Sequence, residues 1–167
     1  MKKQVSKMSA YFFCMGLLAS LGIGQGYKVP PKAVTDVLNA PTVPSSSISP
    51  SRDKLALLTP LRYPPIADLA QPMLRLAGTR VNPNTNSPHL QFYSVSMTLK
   101  NIADGKEMPV ALPAGAKVSG VQWSPDGKYI AFGNVTSSGV ELWIVDTTTA
   151  KATKVKNVFV NTAFGVI

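Results

Sequence analysis

The sequence predicts an all-β protein, a partial β-propeller of about two blades, preceded by a targeting segment and a short helix. From residue 90 onward, short runs of β-forming residues alternate with turn residues, as in sandwiches, barrels and propellers. A nine-residue unit occurs twice: Ser49-Pro-Ser-Arg-Asp-Lys-Leu-Ala-Leu57 lies without a gap over Ser124-Pro-Asp-Gly-Lys-Tyr-Ile-Ala-Phe132. Self-similarity at a fixed register marks a repeat architecture and selects the propeller among the three. The strands are too few to close a ring.

Residues 1–26 read as a secretory signal. Lys2, Lys3 and Lys7 form a positive start, residues 11–19 form an apolar stretch, and small residues follow up to Gly26. The stretch is well short of the roughly 20 residues a spanning helix needs, so no stable membrane anchor is expected after cleavage. The single cysteine, Cys14, lies inside this stretch, behind bulky Tyr11-Phe12-Phe13 rather than the small residue that precedes a lipidated cysteine. The exported chain then has no thiol, which removes cysteine nucleophiles, disulfides and zinc–thiolate sites. The expected location is periplasmic or secreted.

Residues 27–47 are expected to hold a short helix and a connector. Pro30-Pro31 suits a first helical turn, Val34, Val37 and Leu38 share one face for packing on something apolar, and Asn39-Ala-Pro41 ends the helix. Pro44 and the serines 45–47 read as connector. Residues 48–167 are the incomplete propeller. The turn at 49–54 leads into a strand over 55–58, and an irregular insertion occupies about 60–89. Within it, residues 63–72 make a helical turn or two between prolines, and Asn82-Pro-Asn-Thr-Asn-Ser-Pro88 reads as an exposed loop. Strands follow at 90–99, 108–112, 117–123, 129–132, 140–145 and 152–155. In the Ser124 turn, Pro125 presets φ, Asp126 bonds nearby backbone N–H groups and Gly127 takes positive φ. Trp123, Ile130 and Phe132 then face one apolar layer.

A β-run ending in Trp123, the turn Ser-Pro-Asp-Gly-Lys128, Tyr-Ile-Ala-Phe132 and Leu-Trp-Ile-Val-Asp146 together resemble propeller blades of the TolB-like type and of the prolyl oligopeptidase family of serine peptidases. Tyr27-Lys-Val-Pro-Pro-Lys32, Val37-Leu-Asn-Ala-Pro41, Ser49–Lys54, Pro64-Pro-Ile-Ala-Asp-Leu-Ala70, Leu76-Ala-Gly-Thr-Arg-Val-Asn-Pro83 and Asn161-Thr-Ala-Phe-Gly165 are similar to the N-terminal region of its glutamyl endopeptidases, the chloroplast-type branch. The resemblance implies a propeller that covers the site of a C-terminal α/β-hydrolase domain acting on peptide substrates. That domain is absent from this chain, which reads as a fragment of a longer frame. A TolB-like module for protein–protein binding is the alternative, and adhesion to anionic surface polymer a third reading.

No residue is assigned a catalytic, cofactor-binding or metal role, and no cofactor is expected. The nucleophile elbow Gly-x-Ser-x-Gly is absent, and Ser138-Gly139 lacks its flanking glycine. His89, the one histidine, lies at a loop edge with no serine partner in view. The acids are scattered, and Asp126 has a turn role. Trp123 and Trp143 read as core residues. The net charge is +9, but the basic residues form no run and interleave with no aromatic motif, so nucleic acid is not an expected partner.

Overall fold

The computed structural model describes residues 28–164. The signal expected over 1–26, with Cys14, and Gly165 of the closing motif lie outside the described residues.

The chain divides into two units, residues 1–40 and 41–167. In the first, helix α1 (Lys32–Leu38) follows Pro31 and ends at Asn39. A Lys32–Asp36 ion pair of 2.7 Å spans one turn of it. The helix sits where the prolines place it. None of its residues is buried, and Val34, Val37 and Leu38 are exposed.

The second unit contains two antiparallel four-stranded meanders. The first has the order β1 (Ser45–Ile48), β2 (Lys54–Pro60), β6 (Ser94–Asn101) and β7 (Glu107–Pro109). The second runs through β8 (Val118–Trp123), β9 (Tyr129–Val135), β10 (Val140–Asp146) and β11 (Lys151–Val160). A single residue pair, Ser94 with Val118, joins them into one sheet, and Ala111 bridges to Lys151. Between β2 and β6 the chain leaves the meander. It forms the one-turn helix α2 (Ile66–Leu69) and a small sheet of β3 (Leu74–Leu76), β4 (Thr79–Asn82) and β5 (Ser87–Pro88).

The repeat seen in the sequence is a repeat of geometry. Ser49 N–H bonds Lys54 O and Ser124 N–H bonds Tyr129 O, both at 2.9 Å. Each serine Oγ accepts the N–H five residues on, at 3.1 and 2.9 Å. The left-handed residue is Gly127 (φ +69°) in one turn and Arg52 (φ +57°) in the other. An L side chain in that conformation costs about 1–2 kcal/mol, so the first copy of the turn carries strain that the second avoids. The carboxylates hold both turns. Asp53 accepts from Ser49 and Ser51, and Asp126 accepts from Ser124 and from Lys128 N–H. These hydrogen bonds to the ionised form lower both pKa values, with Ser51 and Ser124 the foremost donors.

The core lies between the meanders. Ala56, Leu58, Met97 and Leu99 of the first meet Trp123, Ile130, Phe132, Trp143 and Val145 of the second. Phe132 stacks on Trp143 with ring centroids 6.3 Å apart, and Trp123 Nε1–H donates to Ser47 Oγ at 3.0 Å. Trp123, Ile130 and Phe132 thus share one layer, and burying each large apolar side chain contributes about 1.5–3 kcal/mol. The matched positions of the first meander, Leu55 and Leu57, point out of the opposite side and are only part-buried.

Several segments differ from the sequence reading. The serines 45–47, read as connector, form most of β1, because pairing with 55–58 satisfies their backbone. The expected loop at 82–88 is pinned at both ends by Asn82–Ser87 and Val81–Pro88 pairing, and it buries Asn82, Thr85 and Ser87. The strand expected from residue 90 starts at Ser94, since Leu90 turns to φ +59°. β11 continues to Val160, past the expected end at 155, through an irregularity opposite Glu141–Trp143.

Candidate functional site

The insertion returns the chain to its starting point, where Leu61 N–H donates to Tyr93 O at 3.1 Å. This neck borders a cavity of about 620 Å³. Its walls come from three places: the insertion (Leu61, Asp68, Ser87, Tyr93), the turn before β8 (Ala114, Lys117) and the β9–β10 hairpin (Asn134, Thr136). A volume in this range suits a small ligand or a few residues of peptide.

A charged cluster ties the insertion to the second meander along one wall. Lys117 Nζ lies 2.6 Å from Asp68 Oδ1, and Tyr93 Oη donates to Asp68 Oδ2 at 2.7 Å. The ammonium also sits 5.0 Å from the Tyr93 ring centroid, within cation–π range. Burial opposes ionisation of Asp68, but the Lys117 and Tyr93 hydrogen bonds outweigh it and hold its carboxyl below the ordinary 3.8. Burial, aided by the Asp68 charge, pushes the Tyr93 phenol up to about 12.

The polar connections continue behind this wall. Lys117 N–H donates to Asn134 Oδ1 at 3.0 Å, and Asn134 Nδ2 reaches Glu141 Oε2 at 3.5 Å. Glu141 also accepts from Trp143 Nε1–H (3.0 Å) and from Lys154 Nζ (2.6 Å), and Lys154 above all keeps its carboxyl below the ordinary 4.5. These bonds link side chains of β9, β10 and β11 to the start of β8.

Because Asp68 has a depressed pKa in the folded state, its contribution is fully present above about pH 3.8. It is lost as the pH falls through the lower folded value. Hydrogen exchange corrected for intrinsic rates should therefore show amides of 61–93 opening faster at pH 3 than at pH 5. Equal protection of the insertion at both pH values would remove the tie.

The residues singled out in the sequence do not converge here. His89 Nε2 lies 3.1 Å from Gln71 O, inside the insertion. Ser138 is exposed in the β9–β10 turn, and Asp126 serves its own turn. Trp123 and Trp143 pack on the core. Among the described residues, no group of three or more His, Cys, Asp and Glu stands close enough to hold a metal ion. Also among them, no helix is long and apolar enough to cross a membrane. The cluster Asp68–Tyr93–Lys117 escaped sequence reasoning because Tyr93 and Lys117 lie 25 and 49 residues beyond Asp68, with no motif linking them.

No family profile matches the chain. It is 37% identical over 157 residues to a probable chloroplastic glutamyl endopeptidase of Arabidopsis thaliana, covering 86% of this chain and 16% of that protein. The Oryza sativa subsp. japonica counterpart is 36% identical over 138 residues, covering 76% and 15%. Two solved structures show partial likeness. One is an acylaminoacyl peptidase in complex with Z-Gly-Gly-Phe-chloromethyl ketone (19% identity, TM-score 0.41, 72% of this chain and 15% of that one). The other is a Bacteroides ovatus protein assigned as a dipeptidyl aminopeptidase IV (16% identity, TM-score 0.40, 65% and 16%). The chain belongs to the prolyl oligopeptidase family of serine peptidases. Its relatives there are the glutamyl endopeptidases of the chloroplast type, and it spans about a sixth of their length.

Proposed function

We propose that the two meanders are consecutive propeller blades of an exported serine peptidase, and that they gate or select peptides for a catalytic α/β-hydrolase domain outside this chain. The observation that carries this reading is the repeat in space. Ser49–Lys54 and Ser124–Tyr129 make the same hydrogen bonds, each opening the second strand of an antiparallel four-stranded unit, and the two units stack face to face. Four-stranded units packed in this way are the building plan of a propeller. Leu55 and Leu57 on one outer side, and Leu142 and Ile144 on the other, offer apolar faces to further blades.

In this reading the chain supplies architecture, with no catalytic, cofactor-binding or metal residue of its own. The cavity beside Asp68 and Lys117 lies where an insertion meets a blade, a place to sort peptides rather than cleave them. Export rests on Lys2, Lys3, Lys7 and the apolar stretch 11–19.

The test is to read the gene in frame beyond Ile167 and to assay the product on quenched peptides of graded length. A Gly-x-Ser-x-Gly elbow, with short peptides cleaved and folded proteins spared, is the expected result. A frame without the elbow, and a purified chain that forms a stable closed oligomer, would favour a binding module instead.

A further inference from the structure

Two arginines oppose each other in the insertion, and no acid among the described residues pairs with either. β3 and β4 form a hairpin closed by Ala77 (φ +48°) and Gly78 (φ +88°), the two-residue turn with both central residues at positive φ. Leu76 pairs with Thr79, Arg75 with Arg80 and Leu74 with Val81. In such a hairpin the pair next to the turn exchanges the hydrogen bonds. The following pair, Arg75–Arg80, is therefore the non-hydrogen-bonded kind, whose side chains approach most closely. Arg80 O confirms the parity, since it accepts from His89 N–H at 2.8 Å on the β5 side. Both arginines are exposed, and neither has an acidic partner among the described residues.

Like charges placed directly across a strand pair destabilise it. The single acid of the insertion is Asp68, which Lys117 engages. An acidic complement to Arg75 and Arg80 would come from another chain or segment. β3 is also the open edge of its sheet, and Arg75, facing away from β4, presents its N–H and C=O along that edge. Leu74 and Leu76 are exposed on the opposite face of the strand.

We propose that the β3 edge docks an extended acidic polypeptide segment, in which carboxylates alternate with apolar residues. The segment adds as a fourth strand, exchanging main-chain hydrogen bonds with Arg75. Its carboxylate lies on the guanidinium face, where bidentate pairing with Arg75 and Arg80 relieves their repulsion. Its apolar residues cover Leu74 and Leu76. The strand edge and the leucines favour a polypeptide over a free anion. The inference does not depend on a peptidase role.

The test is fluorescence anisotropy with the full chain and a labelled short peptide in which Glu alternates with Val. Binding is expected to weaken about tenfold or more in Arg75→Gln and in Arg80→Gln, and with Gln replacing Glu in the peptide. It should fall as salt rises from about 50 to 300 mM, and be lost when the peptide amides that face β3 are N-methylated. Melting temperatures of both variants should stay level or rise, because a repulsion has been removed. Equal binding of the Gln peptide, unchanged binding by the variants, or full competition by millimolar phosphate would each overturn the proposal. So would a marked drop in melting temperature, which would give the arginines a structural role.

Discussion

Gly127→Val is expected to destabilise the protein by about 2–4 kcal/mol, measured as a lower urea midpoint at unchanged slope. Two costs add. The residue sits at φ +69°, where a β-branched side chain is strained, and a Cβ at this position would stand 2.6 Å from Ser51 Oγ. That second contact crosses between the repeated turns, 75 positions apart in the chain. Gly115→Val separates the costs, since Gly115 has nearly the same φ (+67°) and a Cβ there would meet nothing within 4 Å. Equal losses in the two variants would show that the turns do not press on each other.

Phe132→Ala is expected to cost about 3–5 kcal/mol, the range for truncating a fully buried aromatic residue. The ring fills the layer between the meanders and stacks on Trp143. Leu57 is its counterpart in the first repeat but faces outward and is part-buried, so Leu57→Ala should cost only about 1 kcal/mol. Both losses are read from chemical denaturation of the isolated chain. Matching losses would mean that the outer side of the first meander is covered, contrary to its exposure here.

The unit around Trp123 was legible in the sequence because every level agreed on it. Proline and glycine fixed the turn, Asp126 satisfied its backbone, and β-branched and aromatic residues alternated into the strands that flank it. A second repeat was not legible. Asn101 and Asp146 each accept an N–H two residues on, and Gly105 (φ +71°) and Ala150 (φ +53°) hold matching left-handed positions. Only Lys106/Lys151 and Val110/Val155 are identical between these stretches, and the first lies 45 positions from the second rather than 75. The intervening insertion accounts for the change in spacing. Pairing at β1 and β5 was hidden because serine and proline runs carry no strand signal, and tertiary neighbours override their propensity. The Asp68–Lys117 tie depends on how the insertion folds back, which local sequence does not encode.

The neck at Leu61 and Tyr93 also bears on the order in which the protein assembles. The second meander is built from neighbouring hairpins, so each strand meets its partner after a short loop closes. The first cannot complete β2–β6 pairing until the whole excursion from 61 to 93 has closed, and closure entropy grows with loop length. The later-encoded half is therefore the natural nucleus, and the earlier half condenses onto its still uncovered Ile130 and Phe132. During synthesis from the N-terminus, β2 must wait for β6, its second partner, which is not yet made. Pulse-labelled hydrogen exchange should protect β9 and β10 before β2.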